Sequence, residues 1–149
     1  MTMEEGTHFV FNKTKETFLA YRVKVADSIL SRLVGLLGKR SLDPDSGLWI
    51  VPSHGIHTLG MLFAIDVIFL DKDLKVVGLR ELVRPFSITS LNLNAESVLE
   101  LPSHTIFKSQ TEIGDELIIS PFESELDLEA ERPPEVEKVE PLRKAVTAR

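Results

Sequence analysis

The chain has 149 residues, 43% of them hydrophobic and 27% charged, the size of one domain that can bury roughly 68–70% of its unfolded surface without a disulfide or metal staple. With 17 Lys and Arg against 23 Asp and Glu the formal charge is −6, which argues against nucleic acid or anionic lipid held by bulk charge. There is no cysteine, so a disulfide framework, thiol catalysis and a thiolate zinc site are all excluded.

The first seventeen residues carry charges around a short apolar cluster, Phe9-Val10-Phe11. A signal peptide needs a basic start and then roughly 7–15 apolar residues, so the expectation is a cytoplasmic protein without an export leader. No window offers the roughly 20 apolar residues of a membrane span. Thr17 to Val25 alternates like a strand, with Leu19, Tyr21, Val23 and Val25 expected on one face. Ser28 to Gly38 changes to helical spacing through Ile29, Leu30, Leu33, Val34, Leu36 and Leu37, with Asp27 or Ser28 as N-cap and Gly38 as the stop.

After the turn Asp43 to Gly47 comes a short apolar run, Leu48 to Val51, and then a looped stretch from Pro52 to Gly60. Ile65 to Leu70 is the strongest strand signal. Asp71-Lys72-Asp73 turns it back into a second strand, Lys75 to Val83. Ser97 to Leu101, a helical turn over Ile106 to Ser109 and a last strand from Glu116 to Ile119 complete the folded part. The fold class expected is therefore mainly β, a sandwich-like or barrel-like domain with one early α-helix packed on it. One domain is expected over 7–120. Residues 121–149 contain, after Pro121, three further Pro and eight acidic against five basic residues, which predicts an acidic, disordered tail.

Few polar residues stand out against this background. Asp66 lies within the apolar run Ile65 to Leu70, where a bare carboxylate in low dielectric is prohibitively costly. Its face is either solvated or supplied with donors, for which His57, Thr58, Arg32 and backbone N–H groups are candidates. If His57 is the partner, an imidazole oriented by a carboxylate can act as a general base. The alternative is a structural Asp66 that pins the Pro52–Gly60 loop to the sheet. No strand–turn–helix nucleophile of the G-x-S-x-G kind is present. His54, His57 and Met61 crowd one loop, but their spacing matches no strong metal motif, and no phosphate-binding or dinucleotide-binding glycine motif occurs. Neither metal nor cofactor is expected. Arg32 either reaches a carboxylate bidentately, Asp66 or Glu100 being the candidates, or is an exposed residue on the polar side of an amphipathic helix. Glu100 either faces water by strand alternation or joins a site, and Arg84 is placed to line the same cleft as the His57 loop.

The order of several blocks resembles the domain of unknown function 192 family. They are Arg32-x-x-Gly35-Leu36-Leu37-x-x-Arg40-x-Leu42, Gly47-Leu48, His57 to Met61, Ile65 to Asp71, Val76-Val77, Pro85, Leu99 to Pro102, and Ile113-Gly114-Asp115. The resemblance spans about Ala26 to Ile119. It implies a compact β-sandwich-like domain with a helix between early strands, and it implies no particular activity.

The function expected is a non-catalytic module that binds a small ligand or a protein in a polar cleft around His57, Met61 and Asp66. Arg32, Thr58, Arg84 and Glu100 are the further candidate contacts. The alternative is a small hydrolase or lyase with His57 as base and Asp66 as its orienter. The partner is an unknown small molecule or protein, nucleic acid and a membrane span are not expected, and the oligomeric state stays open. A third reading gives the acidic tail the task of recruiting a basic partner.

Overall fold

A computed structural model describes residues 7–28, 36 and 38–121, and strands dominate them. In chain order these are β1 (His8–Asn12), β2 (Thr17–Ala26), β3 (Ser46–Ile50), β4 (Ile65–Leu70), β5 (Val76–Val83), β6 (Ser97–Pro102) and β7 (Leu117–Pro121), with a short helix α1 (Thr105–Ser109) between β6 and β7. They form one sheet in the order β5-β4-β6-β3-β2-β1-β7. Every neighbouring pair is antiparallel except β2 and β3.

The sheet curls until its two ends meet. Lys75 bridges Glu116, the Val76 amide donates to the Asp115 carbonyl at 2.9 Å, and the Leu117 amide donates to the Leu74 carbonyl at 3.0 Å. The result is the barrel-like, mainly β architecture expected from the sequence. Of the described residues, only 105–109 are α-helical. The early helix expected over Ser28 to Gly38 falls largely on residues 29–35 and 37, outside the described residues, although Leu36 is buried.

Two apolar layers follow from strand alternation. Val10, Val23, Ile68, Leu70, Leu99, Leu101, Ile106 and Leu117 come from elements all around the curl and fill its interior. On the other face of β3, β4 and β6, Leu48, Ile50, Ile65, Val67, Phe69 and Val98 pack with Ile56, Met61 and Ala95 from the connecting loops. Strands β4 and β6 are thus covered on both sides, which is why they are nearly continuous apolar runs. Full burial of each such side chain is worth about 1.5–3 kcal/mol.

Two differences from the sequence expectation have local causes. His8–Asn12 is a full strand between β2 and β7, where the sequence shows only the cluster Phe9-Val10-Phe11; on one side its partners come from the far end of the described chain, Leu117–Pro121. Tyr21 was expected beside Leu19 and Val23 but is exposed, because the β1–β2 register slips between the pairs His8–Val23 and Val10–Ala20. A bulge of this kind reverses which face the following side chains occupy.

The outer layer is roofed by two loops that hold each other. Thr58 donates its amide to the Ser87 carbonyl (2.8 Å), Thr89 to Ile56 (3.0 Å) and Asn92 to His54 (2.8 Å), with His57 opposite Ile88 in an antiparallel bridge. No helix among the described residues is long and apolar enough to cross a membrane.

Candidate functional site

Asp66 is completely buried, and both carboxylate oxygens are used. Oδ1 accepts the Leu82 amide at 3.1 Å and Oδ2 accepts the Ile106 amide at 2.9 Å. Of the candidate donors, the backbone N–H groups are the ones that supply it. The Leu82 contact falls where β5 departs from regular pairing, with Leu82 in the left-handed region at φ 53°. The Ile106 contact satisfies a first-turn amide of α1, whose N-cap residue His104 provides no side-chain bond. Asp66 therefore ties β5 and α1 to β4. It does not tie down the Pro52–Gly60 loop, and His57 is not among its partners.

His57 is half-buried, with Nδ1 enclosed and unpartnered. Thr58 is buried and structural: Oγ1 donates to the Arg84 carbonyl at 2.7 Å and accepts the Ser87 amide at 2.8 Å. Met61, 2% exposed, belongs to the outer apolar layer. Arg84 contributes its backbone to Thr58 and leaves its side chain exposed. Arg32 lies outside the described residues, and so does any pairing of it with Asp66 or Glu100.

Glu100 is the most anomalous polar group. In β6 it is paired with Leu48 of β3 on one side and Val67 of β4 on the other. Strand alternation puts its side chain with Val98 in the outer layer, on the opposite face from Leu99 and Leu101. Asp66 pairs with Leu101 and shares its face with Ile68 and Leu70, so the two buried acids point to opposite sides of the sheet. Glu100 is 3% exposed and its Oε2 has no hydrogen-bond partner. Burial pushes its carboxyl up to about 8, because a charge without partners is disfavoured in low dielectric. At neutral pH Glu100 is a neutral acid with unused hydrogen-bonding capacity.

The described residues thus hold no assembled acid–base pair of His57 with Asp66, and no group of three His, Asp or Glu placed to hold a metal ion. What surrounds His57 is an apolar crest. Along 86–93, the Ser87 amide donates to Thr58 Oγ1, and the side chains of Thr89 and Asn92 turn inward to bond to Ile56 and to the Val77 carbonyl. Phe86, Ile88, Leu91 and Leu93 face out at 66–79% exposure, and Leu59 and Leu62, which follow His57 in the chain, are exposed as well. Thr89 and Asn92 are thus held inward while the large apolar side chains of this segment face out. Candidate residues named from the sequence missed it, yet a signal is there: residues 46–65 and 85–95 contain no Asp, Glu, Lys or Arg in a chain that is 27% charged.

Comparison with known proteins agrees with the fold. Residues 10–119 match the model of the DUF192 family, described as Uncharacterized ACR. The chain belongs to this family. Within the curated DUF192-like proteins, it is 36% identical over 116 residues to a UPF0127 protein of Thermococcus sibiricus, covering 72% of each chain. It is 32% identical over 114 residues to a UPF0127 protein of Pyrococcus horikoshii, covering 72% of this chain and 96% of that one. Among solved structures it is similar to a protein of unknown function from Novosphingobium aromaticivorans, with TM-score 0.65 and 18% identity over 75% of this chain and 83% of that one. A candidate transcription regulator from Sinorhizobium meliloti gives TM-score 0.66 and 18% identity over 80% of this chain and 96% of that one. At that identity the two structures speak to the DUF192 fold alone.

Proposed function

We propose that this DUF192 domain is a non-catalytic accessory module that binds a protein partner through the apolar crest around His57. One observation carries the reading: the two loops joined at the His57–Ile88 bridge present six large apolar side chains to solvent and no charge. Contiguous exposed apolar surface of this kind marks interaction sites. The crest is also held in place, since each inward polar residue of 86–93 is bonded to a neighbouring segment, so docking would cost little ordering entropy. A hydrolase or lyase reading has no geometric support, because the Asp66 oxygens are committed to the Leu82 and Ile106 amides.

The test is co-purification from the native cell with the wild-type chain and with an Ile88→Lys/Leu91→Lys/Leu93→Lys variant. These positions are exposed, so the variant keeps its stability to within about 0.5 kcal/mol per site. The expected result is loss of the specific partner with the melting transition unchanged. Equal recovery of partner by both proteins overturns the reading.

A second reading has Glu100 in its favour. A neutral, buried acid with an unused Oε2 is suited to receive a polar group of a small uncharged ligand in the outer layer. A thermal-shift screen with uncharged small molecules tests it. Binding to the native state at a hundredfold excess over Kd raises stability by about 2.7 kcal/mol, and Glu100→Leu should abolish the shift.

A further inference from the structure

We infer that the partner seated on the crest is a second copy of this chain, packed crest to crest about a two-fold axis. The inference rests on the docking reading above and adds the identity of the occupant. Charge is the first reason. Each copy carries −6, so repulsion between two copies is least where the facing surfaces carry no charge, as across the crest. Interface cores are depleted of charge in the same way.

The ends of the crest supply the second reason. The uncharged tract 85–95 is bounded by Arg84 and Glu96, which lie equally far in sequence from Ser90. Both are exposed, and neither joins an ion pair among the described residues. When two such segments run antiparallel, Arg84 of one copy lies toward the partner's Glu96, and the reciprocal contact forms at the other end. A parallel arrangement sets like charges together. A two-fold axis running across the segments gives the antiparallel case, and each contact between unlike residues is then made twice. The tract is thus complementary to itself.

Area is the third. Six side chains between 46% and 79% exposed offer on the order of 500 Å² per copy. Two crests face to face then bury about 1,000 Å², the lower bound for a specific interface. A reversible dimer is expected.

The experiment is sedimentation velocity on the full chain over a concentration series, with Arg84→Glu, Glu96→Arg and the double exchange. The wild type should show a concentration-dependent dimer. Each single exchange should weaken it roughly tenfold, two symmetric rim contacts each costing a few-fold, and the double exchange should restore it to within about twofold. A wild type that stays monomeric up to about 1 mM, or a double exchange no better than the singles, overturns the inference. A photoreactive residue at position 88, activated in the native cell, separates the two levels. A self-adduct supports the second copy. An adduct to a different protein overturns the second copy and leaves the docking reading standing, and no adduct at all overturns both.

Discussion

The carboxylate of Asp66 reaches the amide of Ile106 at 2.9 Å across 40 positions of sequence, fastening the first turn of α1 to β4. Its other oxygen holds the Leu82 amide at 3.1 Å. One buried acid therefore joins three elements that share no local sequence signal.

Replacing Asp66 should be severe. Bonds to an ionised acceptor are worth about 1.5–3 kcal/mol each, so Asp66→Ala is expected to lose about 3–5 kcal/mol. Asp66→Asn keeps one acceptor oxygen but turns an NH₂ toward the second amide, and should lose about 2–3 kcal/mol. Urea unfolding followed by circular dichroism measures both. A loss below about 1 kcal/mol for Asp66→Ala would show that the two contacts are incidental.

Glu100 gives a pH dependence of definite sign. Its carboxyl is raised from 4.5 to about 8 in the folded chain, so between those values the native state holds a proton that the unfolded state has released. Stability from this group is fully present below about 4.5 and is lost progressively as pH rises through about 8, with a slope of up to about 1.4 kcal/mol per pH unit. Glu100→Gln should remove that slope, and Glu100→Leu should make the protein about 1–4 kcal/mol more stable at pH 8.5. Unfolding curves at half-unit pH steps test this. A wild-type slope unchanged in Glu100→Gln would assign the dependence elsewhere.

Gly47 sits at a close approach between β3 and β6. A Cβ there would lie 2.8 Å from the Glu100 carbonyl oxygen and 2.9 Å from Leu101 Cδ2, and the first of these is backbone that cannot swing aside. Gly47→Ala should therefore destabilise by about 1–3 kcal/mol, visible as a lowered melting temperature. A neutral outcome would mean that the strands can separate there at no cost.

Beneath the curl, Asn12 Nδ2 donates to Asp115 Oδ2 at 2.8 Å and to Thr111 Oγ1 at 3.2 Å, and the Glu112 amide shares Asp115 Oδ2 at 2.9 Å. Asn12, Thr111 and Asp115 are all buried. Removing Asp115 strands two donors in low dielectric, so Asp115→Ala should lose about 2–5 kcal/mol. Asn12→Ala paired with Asp115→Ala should cost less than the two singles added together. A double-mutant cycle by chemical denaturation checks the coupling.

Much of the fold was legible because strand alternation and turn residues are local. Ile65–Leu70 falls where its apolar run puts it, Asp71 to Asp73 turns the chain as expected, and Thr105–Ser109 contains the anticipated helical turn. Strand β1 escaped because five residues carry too short a pattern, and one of its two partner strands, Leu117–Pro121, is supplied by distant chain. The suspicion attached to Asp66 was sound, but its partners are backbone amides, and no side-chain type in the sequence can announce those.

By itself the sequence determined that the domain is mainly β, that an acid sits inside the strongest strand, and that 46–65 and 85–95 carry no charge. A period of two says that a strand has two faces; it is silent on what covers each of them. Only the tertiary structure decided that Glu100 lies under the outer layer and not in water, because β6 is flanked by β3 and β4 and roofed by the loops. It likewise turned Phe86, Ile88, Leu91 and Leu93 outward, because Ser87, Thr89 and Asn92 hydrogen-bond to neighbouring segments on the inner side. Hydrogen bonds to buried backbone outweighed the burial of apolar side chains along this segment, and the crest is the consequence.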